Sequence, residues 1–284
     1  MVFLEKIERN YKDYYTDEYR KKYSPTYNKV YSPKQIFDTY YSLNKKRVDI
    51  LKNQLNKEMN LLEIGSSSGA FLSQVKEYVK NVVGVEYNNN EVLFCRSELG
   101  LEVHNSEINE LPYEESSFDV ICFFEVFEHT NDPIGFLKNV SKLLKDDGFL
   151  IIEVPNLDDI FIRLRIEEYK NFYFRDVHEF YYTKSTLEKV LNHCGFILDD
   201  SKNPSIFSLH FYNVLNFFNW FINRNPEQDA ANMINDFNKV AEGELKFFEQ
   251  WLYECNNNFI STLERNFAGD TLFCYAKKDL EFTS

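Results

Sequence analysis

Cysteine is sparse and scattered in this 284-residue chain. The five cysteines, Cys95, Cys122, Cys194, Cys255 and Cys274, are odd in number, widely spaced and without a C-x-x-C pair. They supply neither a disulfide framework nor a zinc-ligand cluster, and they favour a reducing cytoplasm. Positive charge is short as well: 32 Lys and Arg stand against 45 Asp and Glu, for a formal charge of −13 and a pI near 5.0. Such a surface repels phosphate backbones and disfavours nucleic acid as a partner. The first residues, MVFLEKIERNYKDYY, lack a basic start followed by an apolar stretch, so no secretory leader is read. No uninterrupted membrane span is found either. The longest apolar candidate, residues 205–223, is broken by Asn213, Asn216, Asn219 and Asn223, whose spacing predicts an amphipathic helix. Internal repeats and low-complexity tracts are absent, which argues against solenoids and propellers.

What is present is an alternation of short apolar runs with helical patterns. Residues 1–57 are Tyr-rich and polar until Ser32-Pro33-Lys34-Gln35, which reads as an N-cap, a first-turn proline and a capping-box partner. This stretch is expected to be a helical flank or lid. From residue 58 to 204 the runs LLEIG, VVGVEY, LEVH, FDVICFF and GFLIIEVPN alternate with helical segments, and FILDD follows a further helix. Runs that are apolar throughout belong to strands buried on both faces, so the pattern predicts a doubly wound, mostly parallel α/β sheet with crossover helices. TLFCYAKK at 271–278 predicts a seventh and last strand within a C-terminal piece, 268–284. The intervening 205–267 is expected to be a helical cap inserted over the carboxyl edge of the sheet.

The most specific local signal is Leu61-Leu62-Glu63-Ile64-Gly65-Ser66-Ser67-Ser68-Gly69-Ala70-Phe71, a strand that turns through glycines into a helix. Gly65 can turn the chain tightly beneath a ligand, and Gly69 lets helix and sheet approach closely. The next strand ends at Glu86, suited to accept hydrogen bonds from both hydroxyls of a ribose. A nicotinamide-binding loop would show G-x-G-x-x-G, which this chain lacks. Residues 60–200 resemble the class I S-adenosylmethionine-dependent methyltransferases. The resemblance implies a Rossmann-like methyltransferase fold and S-adenosylmethionine as cofactor. It places Glu63, Gly65, Ser66, Ser67 and Gly69 in the family's first motif, with Ser67 where a glycine is frequent. Glu86 and Tyr87 match the ribose-binding acid and its neighbour. Ser106-Glu107-Ile108-Asn109-Glu110-Leu111-Pro112, followed by Ser117-Phe118-Asp119-Val120, is similar to the third and fourth motifs. That likeness puts Glu107 at the adenine amino group, Ile108 against the ring and Phe124 on the methionine side.

A second constellation is Glu125-Val126-Phe127-Glu128-His129, joined later in the chain by His178 in HEFYYTK. At the carboxyl end of a strand, Glu125, Glu128 and His129 can converge where substrate meets cofactor. The pairing with the His178 segment resembles the small-RNA 3′-end 2′-O-methyltransferases, in which two glutamates and two histidines hold magnesium or manganese. The E-V-x-E-H segment is also similar to ubiquinone-pathway O-methyltransferases. The resemblance therefore implies a metal site at Glu125, Glu128, His129 and His178, a mixed oxygen and nitrogen donor set. His129 and His178 are equally the candidates for a general base toward a hydroxyl acceptor. The reading that results is an O-methyltransferase for a small hydroxylated molecule such as a sugar, sugar nucleotide or glycan precursor. RNA 2′-O-methylation, supported by the His178 segment and opposed by the acidity, is the alternative enzyme. A catalytically silent cofactor-binding protein is the alternative from another class.

Overall fold

The computed structural model describes residues 2–3, 14–15, 19–22, 30–209 and 246–282. The N-terminal part contributes β1 (Val2–Phe3), the single turn α1 (Tyr19–Lys22) and the long helix α2 (Pro33–Leu51). The start of α2 is set as its sequence predicts. Ser32 Oγ accepts from the Gln35 amide, Gln35 returns the bond to the Ser32 amide, and Pro33 occupies the first turn. Then come β2 (Asn60–Ile64), α3 (Ala70–Val75), β3 (Asn81–Val85), α4 (Asn89–Leu99), β4 (Glu102–His104), β5 (Phe118–Phe124), α5 (Pro133–Leu143) and β6 (Leu144–Pro155). Helix α4 stops at Gly100, whose φ of 62° provides the left-handed cap. The chain continues through α6 (Ile160–Arg163), α7 (Glu167–Tyr173), β7 (Phe180–Tyr181), α8 (Lys184–His193), β8 (Phe196–Leu198) and β9 (Ile206–Leu209). It closes with α9 (Lys246–Arg265) and β10 (Thr271–Lys278).

The sheet runs β4-β3-β2-β5-β6-β10-β8. Strands β4, β3, β2, β5 and β6 pair in parallel, and β10 enters antiparallel between β6 and β8. The expected seven positions are therefore present, with one refinement. The outermost position is filled by two segments: β8 pairs with Ala276–Lys278, and β9 pairs with Thr271–Cys274 of the same strand. Ile206–Leu209, assigned from sequence to the helical cap, is thus sheet, because its apolar side chains pack on β10. The rest of that cap from 210 to 245, with His210 and Trp220, lies outside the described residues. The N-terminal flank also departs from an all-helical reading, since β1 pairs antiparallel with β7 in a small separate ribbon.

Alternation along β5 shows why the strands are apolar throughout. Ile121 and Phe123 enter one core with Leu137 and Val140 of α5 and Leu187 and Leu191 of α8. Val120, Cys122 and Phe124 enter the other with Val48 and Leu51 of α2, Phe71 and Leu72 of α3, and Val92 of α4. Each large side chain so buried stabilises the fold by about 1.5–3 kcal/mol relative to exposure. Strand order reverses between β2 and β5, which opens a crevice at their carboxyl ends, where ligands of open α/β sheets bind. All five cysteines are free. Among the described residues no helix is long and apolar enough to cross a membrane.

Candidate active site

The loop after β2 is fixed from below by two amides: Gly65 N and Ser66 N donate to Val85 O at 2.8 and 3.0 Å. Gly65 has φ +75°, and a Cβ there would lie 2.4 Å from Val126 Cγ2. The glycine is required both by its dihedral and by the residue that follows β5. A Cβ on Gly69 would meet Cys95 Sγ and Leu101 Cδ1 at 2.9 Å, so this glycine lets α3 settle against α4. Ser67, between them, holds φ 47° without being glycine. Its amide donates to Glu86 Oε2 at 2.8 Å, and Glu86 Oε1 accepts from the Asn88 amide at 2.8 Å. Glu86 is thereby aimed by two backbone donors. Burial, with Glu91 nearby, pushes its carboxyl up to about 7.

Glu63 is buried beneath the loop, with Oε2 unpartnered and its carboxyl held well above the ordinary range by burial. Ser66 is buried with an unpartnered hydroxyl. Tyr87, after β3, donates its hydroxyl to Glu107 Oε2 at 2.5 Å, while Asn105 Nδ2, after β4, donates to the carbonyls of Glu86 and Tyr87. Glu107 and Ile108 open a short turn, with Ile108 buried in the core. Phe124 is less a wall than a core residue: it packs edge-on to Phe71, stacks on Phe273 and lies under the Arg47 guanidinium at 4.7 Å.

The chain leaves β5 through Glu125, in a left-handed conformation with φ 56°, and makes a single turn at Phe127–His129. That turn presents Glu128 and His129 to His178, and one donor atom from each of the three lies within 4.8 Å of the others. The imidazole rings meet edge-on with centroids 4.6 Å apart. His129 Nδ1 is 3.0 Å from Val177 O, a carbonyl that can only accept, so Nδ1 carries the proton and Nε2 offers a lone pair. Nε2 lies 3.7 Å from Glu128 Oε1. His178 Nδ1 is buried without a partner, and the buried Glu128 carboxyl lies hydrogen-bonded against that of Glu125. Burial raises Glu128 to about 8, lowers His129 to about 4 and puts His178 well below the usual range. Both imidazoles are thus neutral near pH 7 and able to act as ligand or base. Glu125 stands apart from the predicted quartet. It is close enough to Glu128 for each carboxyl to feel the other, yet outside the group of three that share one point.

Four contributors were not expected. Arg47 of α2 reaches across to Glu153 of β6 with two bonds of 2.8 Å, and also donates to Asn44 at 2.9 Å. A lone glutamate inside the apolar run FLIIEVP was the available signal for Glu153; Arg47 had none beyond its place on the buried face of a helix. Arg20 and Glu91 form a second pair beside the glycine loop. His104, by contrast, pairs with Glu102 at the far edge strand, away from His129 and His178.

A sequence profile for the methyltransferase domain matches residues 37–200, which takes in α2, the glycine loop, Glu86, Glu107, the Glu128–His129 turn and His178. The chain belongs to the methyltransferase domain family. Over 98 residues the methyltransferase is 30% identical to a Mycobacterium tuberculosis protein named "Probable S-adenosylmethionine-dependent methyltransferase", covering 34% of this chain and 36% of that one. It is 24% identical over 143 residues to the ubiquinone biosynthesis O-methyltransferase of Cereibacter sphaeroides, 44% of this chain and 58% of the other. The matches thus span between about a third and three-fifths of these relatives. Among solved structures, an S-adenosylmethionine-dependent methyltransferase from Archaeoglobus fulgidus shares the fold over 86% of this chain and 97% of its own. The TM-score is 0.54 and the identity 21%.

Proposed function

We propose that this methyltransferase uses S-adenosylmethionine to methylate a hydroxyl oxygen of a small acceptor, a sugar or similar hydroxylated molecule, beside the Glu128–His129–His178 cluster. The observation that carries the reading is the contact between the two halves. Val126, one residue from Glu125 and two from Glu128, packs on Gly65, so acceptor-side and cofactor-side groups share one crevice. On this reading Glu86, held by two amides, would accept ribose hydroxyls, and Glu107 an exocyclic amine. His129 Nε2, with its proton fixed on Nδ1, can take the proton of an acceptor hydroxyl, a poor nucleophile until it is deprotonated. Displacement at a sulfonium methyl is otherwise a matter of alignment, and a rigid turn between β5 and α5 supplies it.

The same three side chains fit a divalent cation. Two buried carboxyls crowded against each other, Glu125 and Glu128, and an unpartnered imidazole nitrogen of His178 leave ligating capacity that a cation would use, and their burial is costly without one. Magnesium or manganese would be held by Glu128, His129 and His178, with Glu125 at a further remove, and would supply Lewis acidity toward an acceptor oxygen. The test is transfer of labelled methyl from S-adenosylmethionine to a panel of hydroxylated small molecules, with and without chelator. Turnover should fall on chelation while affinity for S-adenosylhomocysteine stays unchanged, and His178→Ala should reproduce the chelated state. Chelator-resistant turnover would leave the histidines as plain bases, and transfer only to RNA or to nitrogen acceptors would overturn the acceptor reading.

A further inference from the structure

The N-terminal segment is tied to the cofactor loop by a buried ion pair. Arg20 Nε donates to Glu91 Oε1 at 2.6 Å, and its Nη2 donates to Glu91 Oε2 at 3.0 Å and to Ser67 Oγ at 2.9 Å. The side chains are 16% and 1% exposed. Ser67 Oγ in turn donates to Glu91 Oε2 at 2.6 Å. Ser67 is the loop residue with positive φ whose amide aims Glu86, so one serine joins the arginine, the buried glutamate and the ribose-side acid. A non-glycine residue in that conformation persists only when its surroundings impose it, and these three bonds are the surroundings.

The segment carrying Arg20 also reaches the other half of the crevice. Tyr15 O accepts from Asn88 Nδ2 at 3.3 Å, and the Tyr15 ring lies 6.2 Å from that of Tyr87. The Tyr15 and Tyr19 rings stand edge-on to His129, with centroids at 5.9 and 6.2 Å and interplanar angles of 84° and 87°. Tyr15 and Tyr19 therefore stand beside both the Tyr87 and the His129 sides of the crevice.

We propose that Arg20 is a latch. Its pairing with Glu91 and Ser67 holds Tyr19, and with it Tyr15, beside both the cofactor loop and the His129 site, so that this pairing and cofactor binding favour each other. Without the guanidinium, the Glu91 charge would stand buried and uncompensated beside Glu86, Ser67 would lose one of its restraints, and the Tyr15 and Tyr19 rings beside His129 would lose their anchor. Arg20 is a positioning residue, acting through Ser67 and Glu91. The inference rests on S-adenosylmethionine being the cofactor, and the experiment separates the two.

Calorimetry with S-adenosylhomocysteine should show Arg20→Ala weakened roughly ten- to hundredfold, the range spanned by one charge-assisted hydrogen bond. Arg20→Lys should fall between that variant and the unmodified protein. Arg20→Ala combined with Glu91→Gln should stay weakened, because the anchor is still missing; full recovery would assign the loss to the stranded Glu91 charge and overturn the latch. In parallel, tryptic cleavage after Lys21 and Lys22 should be slowed by S-adenosylhomocysteine in the unmodified protein and not in Arg20→Ala. If Arg20→Ala does not fold, Glu91→Gln breaks the pair from the other side and should also speed cleavage; an unchanged rate there overturns the latch. Equal affinities for the unmodified protein and Arg20→Ala overturn it too. No binding by the unmodified protein would overturn the cofactor reading itself.

Discussion

Removing Arg47 should destabilise the fold more than any other single charge deletion near the crevice. Its guanidinium makes two parallel bonds of 2.8 Å to Glu153, which is fully buried, and a third of 2.9 Å to Asn44. Glu63 and Glu125 also feel its charge. Arg47→Met keeps most of the aliphatic stem over Phe124 and deletes only the cation, so lost packing is small and the cost is that of a carboxylate stranded in the interior. Breaking a buried pair from one side costs about 3–5 kcal/mol. At about 2–4 °C per kcal/mol for a domain of this size, the melting temperature should fall by roughly 6–20 °C. Scanning fluorimetry or calorimetry at neutral pH reads this directly. The double variant Arg47→Met with Glu153→Leu should return most of the loss, since an apolar pair of similar volume is often as stable as a buried ion pair. A melting point for Arg47→Met within about 2 °C of the unmodified protein would refute the reasoning, and so would a double variant no better than the single one.

Cofactor affinity should depend on Glu86 being ionised. With its carboxyl raised to about 7 by burial and Glu91, it is largely protonated at pH 6 and accepts poorly, so affinity should rise as pH passes through about 7 and level off above it. Methylthioadenosine, which has no amino acid part to titrate, is the probe, and Glu86→Gln should flatten the profile. Gly65→Ala should abolish detectable cofactor binding, because the new methyl would meet Val126 Cγ2 at 2.4 Å and the residue would have to hold φ +75°. Gly65→Ala with Val126→Ala should restore part of it; equal binding by Gly65→Ala and the unmodified protein would show that the loop yields. Ser32→Ala should cost about 1 kcal/mol through loss of the α2 cap, measured as a small drop in melting temperature.

What could be read from the sequence is what depends on near neighbours. Ser32 to Gln35 set a helix start, Gly100 ends a helix, and the continuous apolar run of β5 marks a strand covered on both faces, as found. The relative placement of Gly65, Glu86 and Glu128 follows from strand order, because a parallel sheet brings its carboxyl ends to one edge whatever the loops contain. The contacts that escaped depend on distant pairs. Arg47 and Glu153 are 106 positions apart, and Arg20 and Glu91 are 71 apart. No periodicity relates such partners, since each is chosen by where α2 or the N-terminal segment lands. Strand β9 escaped for another reason: four residues beginning an apolar stretch fit a helix and a strand equally well, and only β10, which follows far later, decides between them.

The acidity of the chain takes a local form at the crevice. Glu63, Glu91, Glu128 and Glu153 are buried there and Glu86 and Glu125 are half-buried, while Arg20 and Arg47 are engaged with Glu91 and Glu153. With Arg175 also near Glu128 and the two histidines, six glutamates face three arginines here, and burial raises Glu63, Glu86, Glu125 and Glu128 toward the neutral form. A cation entering such a site reverses the tendency: it favours the ionised carboxyls, and their charge in turn favours the cation. On the cofactor assignment proposed above, S-adenosylmethionine brings a sulfonium, and methyl transfer turns it into a neutral thioether. The attraction is then present for the reactant and absent at the sulfur of the product. On that assignment the acidic pocket favours the cationic cofactor over the neutral thioether product.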